Sequence, residues 1–243
     1  MKKKSVLPVK SLSALAFLAI TLFTSCKKES AGESADNTIS EEEVVDVMAQ
    51  GLAGNSGGFT TQTTTAAGVA ARTSLSCGQT SDTLITGHHI SGAAVSYSYS
   101  IEITRSLTCV NMIPASFAFQ YSGASSYDAP RIASDDATTA AFTIDGLQPS
   151  STSFVFNQTY TRIGTQQSKI RQRRSFTSTL TFSSADITVS KETHKILSGS
   201  ATAQLTGQVS TGREFSYGAT ITFHGNNSAT LVLQNGRSFE LTW

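Results

Sequence analysis

The 243-residue chain carries a GxSxG nucleophile pattern at Gly54-Asn55-Ser56-Gly57-Gly58. The strained elbow that exposes such a serine needs a strand before it and a helix after it. Here the pattern follows a helical segment and opens a Gly- and Thr-rich stretch, so Ser56 is not expected to attack a substrate. The histidines are His88, His89, His194 and His224. His88 and His89 are adjacent in a strand-like segment and point to opposite faces. Without an HxH spacing, neither a metal site nor a histidine base is expected. Asp135-Asp136 reads as a turn before a strand, whereas glycoside hydrolysis needs two carboxylates facing each other about 5 to 9.5 Å apart. Lys169, Arg171, Arg173 and Arg174 form the one basic cluster, between two strand-like segments. It suits an anionic partner or a solvated hairpin tip that blocks edge pairing. Tyr97, Tyr99, Phe117, Phe119, Phe154 and Phe156 fall on one alternating face. They make either a packed core or the lining of an apolar pocket.

The elements that must position these groups follow from periodicity. Ser40-Glu41-Glu42-Glu43 has the form of a capping box, and three glutamates in a first turn suit the helix dipole. Val44, Val47, Met48 and Leu52 follow at helical spacing, which predicts a short helix over 40–53. Gly54 to Ala71 reads as a Gly/Thr/Ala-rich linker. From about Arg72 the apolar period becomes two. Val95, Tyr97, Tyr99, Ile101 and Ile103 alternate with small polar residues, and about ten such segments follow. Asn235-Gly236 near the end is a hairpin signal of the type I′ kind, which would pair Val232 with Phe239 and Gln234 with Arg237. A sheet with one apolar face must close on itself or be covered. The expected fold is therefore all-β: an antiparallel meander closing as a sandwich or barrel-like clam over 72–243, with one short N-terminal helix.

Composition points to exported surroundings without naming a partner. The chain has 14% charged residues, against about 25% in ordinary soluble domains. Its 36 serines and 33 threonines supply the polar surface instead. A net charge of +1 with no long basic stripe argues against nucleic-acid binding. Met1-Lys2-Lys3-Lys4, a short apolar run from Leu12 to Phe23, and Thr24-Ser25-Cys26 come in that order. This run resembles the lipobox signal peptide of bacterial lipoproteins, with Phe23 where the pattern prefers leucine. The resemblance implies a leader over 1–25, lipidation of Cys26 and a tethered segment over 26–71. Cleavage would remove Lys2, Lys3, Lys4 and Lys10, leaving fourteen basic against seventeen acidic residues. The flank Cys26-Lys27-Lys28-Glu29-Ser30 resembles that of lipoproteins from the Bacteroidota, although a surface-export signal would have a second acidic residue in place of Lys28. Asp82-Thr83-Leu84 is similar to an O-glycosylation sequon of those bacteria. Phe239, Leu241 and Trp243 resemble a closing strand of outer-membrane barrels, but the segment is shorter than the 9 to 11 residues of a spanning strand. Cys77 and Cys109 remain after Cys26, and an even pair in an exported chain suggests one disulfide; two buried thiols are the alternative.

These readings converge on a lipid-anchored protein of the cell envelope, in the outer membrane facing either the periplasm or the surface. It is expected to have a non-enzymatic structural or binding role, with no cofactor and no metal. Its partners would be the membrane through Cys26 and an envelope protein, glycan or lipid. A carrier of a lipid or apolar ligand is the alternative, and a glycan-acting enzyme a second.

Overall fold

The computed structural model describes residues 38–53, 56–72, 75–89, 95–171 and 173–243. Two helices, α1 (Glu41–Leu52) and α2 (Phe59–Arg72), precede ten strands. These are β1 (Thr80–His89), β2 (Ser96–Val110), β3 (Ile113–Asp128), β4 (Ile132–Asp145), β5 (Ser153–Ser168), β6 (Ser175–Ser190), β7 (Ile196–Val209), β8 (Glu214–Gly225), β9 (Ser228–Leu233) and β10 (Ser238–Thr242). They pair in sequence order as one antiparallel sheet, open between its edges β1 and β10. The fold is thus the expected all-β meander, and it does not close into a barrel.

Strict alternation builds the sheet. In β4 every second residue from Ile132 to Ile144 is buried, and the residues between are mostly exposed. The inner face carries Phe117, Phe119, Tyr121, Phe142, Phe156, Tyr160, Phe176, Phe182 and Phe223; the outer face is dominated by Ser, Thr and Gln. Curvature is required by one ring. Phe59 of α2 lies 6.5 Å from the ring of Phe142 on β4 and 6.0 Å from that of Phe223 on β8. Strands four apart in a flat sheet would be roughly 19 Å apart, so the sheet curls around the helix.

The helices correct the expected organisation, because the described residues form two and not one. The segment Gly54 to Ala71, read as linker, is mostly α2. Its β-branched threonines lower helix propensity, but Phe59, Thr63, Ala66 and Ala67 form a buried stripe that covers the aromatic face. The Thr63 hydroxyl donates to Phe59 O at 2.8 Å and that of Thr64 to Thr61 O at 3.0 Å, so these polar groups stay satisfied inside the helix. Tertiary burial overrides propensity here. α1 has the predicted capping box: Glu43 N donates to Ser40 Oγ, and Ser40 N to Glu43 Oε2 at 2.7 Å. Its apolar stripe Val44, Val47, Met48 and Leu52 is buried. Gly51 sits so close to the sheet that a Cβ there would meet Leu180 Cδ2 at 2.3 Å.

The last hairpin differs from expectation by one residue. Val232 pairs with Ser238 and Leu231 with Phe239. Of the two turn residues only Gly236 has positive φ, at 87°. A three-residue loop ending on a left-handed glycine replaces the two-residue turn.

Candidate functional site

Alternate turns of a meander fall at opposite ends of its sheet. One end carries the β3–β4, β5–β6, β7–β8 and β9–β10 turns and the start of α1. The other carries the β2–β3, β4–β5, β6–β7 and β8–β9 turns and the end of α2.

At the first end the basic cluster meets the acidic face of α1. Arg171 pairs with Glu42 at 3.1 Å, Arg131 with Asp46 at 2.8 Å, and Arg237 with Glu41. Arg174 Nη1 donates to Thr38 O at 3.3 Å, and Lys169 pairs with Asp128. Arg173 stands in the same turn with positive φ. A hydrogen bond from the Glu42 backbone itself lowers the pKa of the Glu42 carboxyl, whereas burial raises that of Asp46 against the opposing pull of Arg131. Of the cluster proposed for an anionic partner, Arg171 is therefore spent on α1 and Lys169 on Asp128 of β3.

Behind α1 lies a buried polar group of residues that sequence reasoning missed. Arg162 on β5 donates to Ser56 O between the helices at 2.9 Å and to Gln50 O in the last turn of α1 at 3.4 Å, where a cation suits the helix C-terminus. Its guanidinium lies 5.7 Å from the ring of Tyr127 and 5.8 Å from that of Tyr160. Asp136 on β4 faces Arg162 Nε at 3.7 Å, too far for a hydrogen bond. Its other oxygen accepts from Ser134 at 2.6 Å and Gln166 at 3.1 Å. Burial pushes the Asp136 carboxyl up, while Arg162, Ser134 and Gln166 pull it down. Burial likewise raises Tyr127 and Tyr160. Asp135-Asp136 is therefore not a turn; it lies inside β4 with Asp135 outward and Asp136 inward. The signal was available in parity, since Asp136 shares the register of Ile132, Phe142 and Ile144. Perturbed groups of this kind mark active sites when they line a cleft, but Asp136 and Arg162 are 6% and 3% exposed beneath the helix.

The six aromatic residues proposed as a pocket separate into three pairs. Phe119 and Phe156 are fully buried in the core. Tyr97 and Tyr99 stack on each other at 6.2 Å between ring centres, and Tyr99 lies over Gly87, its partner across β1. Phe117 and Phe154 are also buried in the core, and they border a cavity of about 360 Å³ at the second end of the sheet with Ala70, Ala71, Leu107 and Pro114. Lys191 of the β6–β7 turn stands at this cavity, its Nζ 5.1 Å from the centre of the Phe154 ring and donating to Gln148 O at 2.6 Å. Burial lowers its pKa. Larger recesses on the outer face, up to about 680 Å³, are lined by strand residues such as Thr177, Thr206 and Gln208. Beside the end cavity the β2–β3 turn exposes Val110 (62%), Met112 (83%) and Ile113 (63%).

The remaining candidates disperse. Ser56 is fully buried between the helices, and its hydroxyl donates to Gln50 O and Ala53 O. His88 is exposed on the outer face, His224 bonds Thr230 at 2.7 Å, and His194 lies in the β6–β7 turn near Gly68 of α2. The side chain of His89 falls outside the described residues, as do Cys26, Gly54 and Asn55. Among the described residues no three His, Cys, Asp or Glu side chains converge to hold a metal. Cys77 and Cys109 form a disulfide with Cα atoms 5.5 Å apart, in line with the β1–β2 register that pairs Thr80 with Ser106.

Fold and site together define an open all-β meander wrapped on two helices, with ion pairs to α1 at one end and a cavity with an exposed apolar turn beside it at the other. The chain matches no family model, no curated protein and no solved structure.

Proposed function

We propose that this is a non-enzymatic binding protein of the cell envelope, held at a membrane through a lipidated Cys26. The observation that carries the binding role is the contrast between occupied and unoccupied apolar surface. The chain's own helices fill the aromatic concavity, and the perturbed Arg162–Asp136 pair lies beneath α1. A cavity between α2 and the β2–β3, β4–β5 and β6–β7 turns is bordered by Phe117, Phe154 and Leu107, and beside it Val110, Met112 and Ile113 stand exposed. This favours capture of an apolar ligand at one end over a lumen running through the sheet. The lipobox-like order of residues 1–26 supports the anchor, and stable anchoring needs more than one acyl chain.

Two measurements test the proposal. Cys26→Ala should move the protein from membrane to soluble fractions of its host; continued membrane association would remove the lipid anchor. Native mass spectrometry of the protein purified from that host should show a bound apolar mass. An empty spectrum would leave the protein a structural role.

A further inference from the structure

We infer that the end cavity is a site for a single acyl chain bearing an anionic head group, with Lys191 as its head-group contact and the β2–β3 turn as its lipid-facing lip. The inference rests on the binding role above and names the ligand class.

Four observations meet at this place. The walls are aliphatic and aromatic side chains from five separate segments: Ala70 and Ala71 of α2, Leu107 of β2, Phe117 of β3, Leu147 after β4 and Phe154 of β5. These side chains give methylenes packing partners, while the accessible lining as a whole is as polar as it is apolar. At about 360 Å³ the volume sits at the small end of ligand pockets, which run roughly from 300 to 1,000 Å³. That fits one chain and disfavours a lipid with two.

Among the described residues of the lining, Lys191 alone is charged. An ammonium has three donors, and Gln148 O takes one while the Phe154 ring holds its flank. A carboxylate or phosphate at the cavity mouth would therefore meet a held cation.

Val110, Met112 and Ile113 are exposed in a tight turn whose Asn111 and Met112 have positive φ. This apolar tip is continuous with the cavity through Pro114, the next residue and itself part of the wall. The Cys77–Cys109 disulfide ties the base of the tip to the chain before β1. A rigid apolar projection beside an apolar recess suits extraction of a chain from a lipid surface.

The test is displacement of a dansyl-labelled fatty acid from the purified protein by dodecanoic acid, dodecanol or vesicles of phosphatidylglycerol. Dodecanoic acid is expected to displace the probe with one-to-one stoichiometry. Intact phosphatidylglycerol should not, because it brings two chains; displacement by it as effective as that by the free acid would overturn the single-chain assignment. Ala70→Phe fills the cavity and should weaken dodecanoic acid at least tenfold. Should that variant melt early, Lys191→Gln at the rim carries the same question. It should weaken the acid about fivefold and leave dodecanol unchanged. Equal loss for both ligands, or for neither, would remove Lys191 as the head-group contact. Replacing Met112 and Ile113 by serine should slow delivery from dodecanoate-loaded vesicles without changing affinity in solution; unchanged delivery would remove the lip. Absence of any displacement refutes the site while leaving the outcome for Cys26→Ala, and hence the envelope assignment, untouched.

Discussion

The two ends of this sheet are built from the same strands yet solve opposite problems. At the end where α1 begins, Arg131, Arg171 and Arg237 reach from three different turns to Asp46, Glu42 and Glu41. Every one of these pairs joins a turn to the helix, so the chain closes that end with its own charges. At the end where α2 stops, turns contribute Leu147, Pro114 and the exposed tip around Met112, and a cavity remains. The difference shows where a partner has room. A surface that satisfies itself internally has little to offer a ligand, whereas apolar area left uncovered gains by being covered.

Substitutions can break this contrast, and the largest effects belong to the filled interior. Phe59 is fully buried and touches the rings of Phe142, Tyr160, Phe182 and Phe223. Phe59→Ala should cost about 3 to 5 kcal/mol in denaturant unfolding; a loss under about 1 kcal/mol would mean that the helices are not part of the core. Arg162→Met leaves Asp136 buried without its cation and should cost a similar ~3 to 5 kcal/mol. Cys77→Ser opens a loop spanning 32 positions and should cost roughly 3 to 4 kcal/mol in the chain-entropy picture. An unchanged melt under oxidising conditions would remove that bond from the account.

At the charged rim the effects are small. Arg237→Gln should change stability by less than about 1 kcal/mol, and less again in high salt. A larger loss would make the rim a structural clamp and not a set of exposed pairs.

Asp136 gives the contrast a pH signature. Its folded carboxyl keeps its proton to higher pH than the ordinary 3.8 because burial outweighs the pull of Arg162. Between those two values the folded state binds more protons than the unfolded chain, so stability falls as pH rises. The melting temperature of the native protein minus that of Asp136→Asn should therefore decrease as pH climbs from about 4. A difference that grows instead would show the ion pair outweighing burial.

Much of this architecture was legible in the residues. The period of two from Tyr97 to Phe223 gives the strands, and the capping box at Ser40 gives the start of α1. The end of the chain was misread by one residue because Asn-Gly serves both a two-residue turn and a three-residue loop, and only the backbone angle of Asn235 separates them. α2 escaped notice because five threonines argue against a helix locally, while the need to cover an aromatic concavity is a property of the whole sheet. The site was the least legible part. Phe117 and Phe154 were named among six aromatics on one face, but that these two also border a cavity depends on where α2 ends. Lys191 lies in a turn with no motif around it, and only the meander brings it to the β2–β3 turn.

The most direct test of the central claim compares native and denaturing mass spectra of the protein purified from its host. Covalent lipid on Cys26 persists in both, whereas a molecule in the end cavity is lost on denaturation. The expected result is one non-covalent amphiphile of single-chain mass on the native protein, missing from Ala70→Phe. Identical native spectra for the two proteins would contradict the claim that this end of the sheet is where the ligand sits.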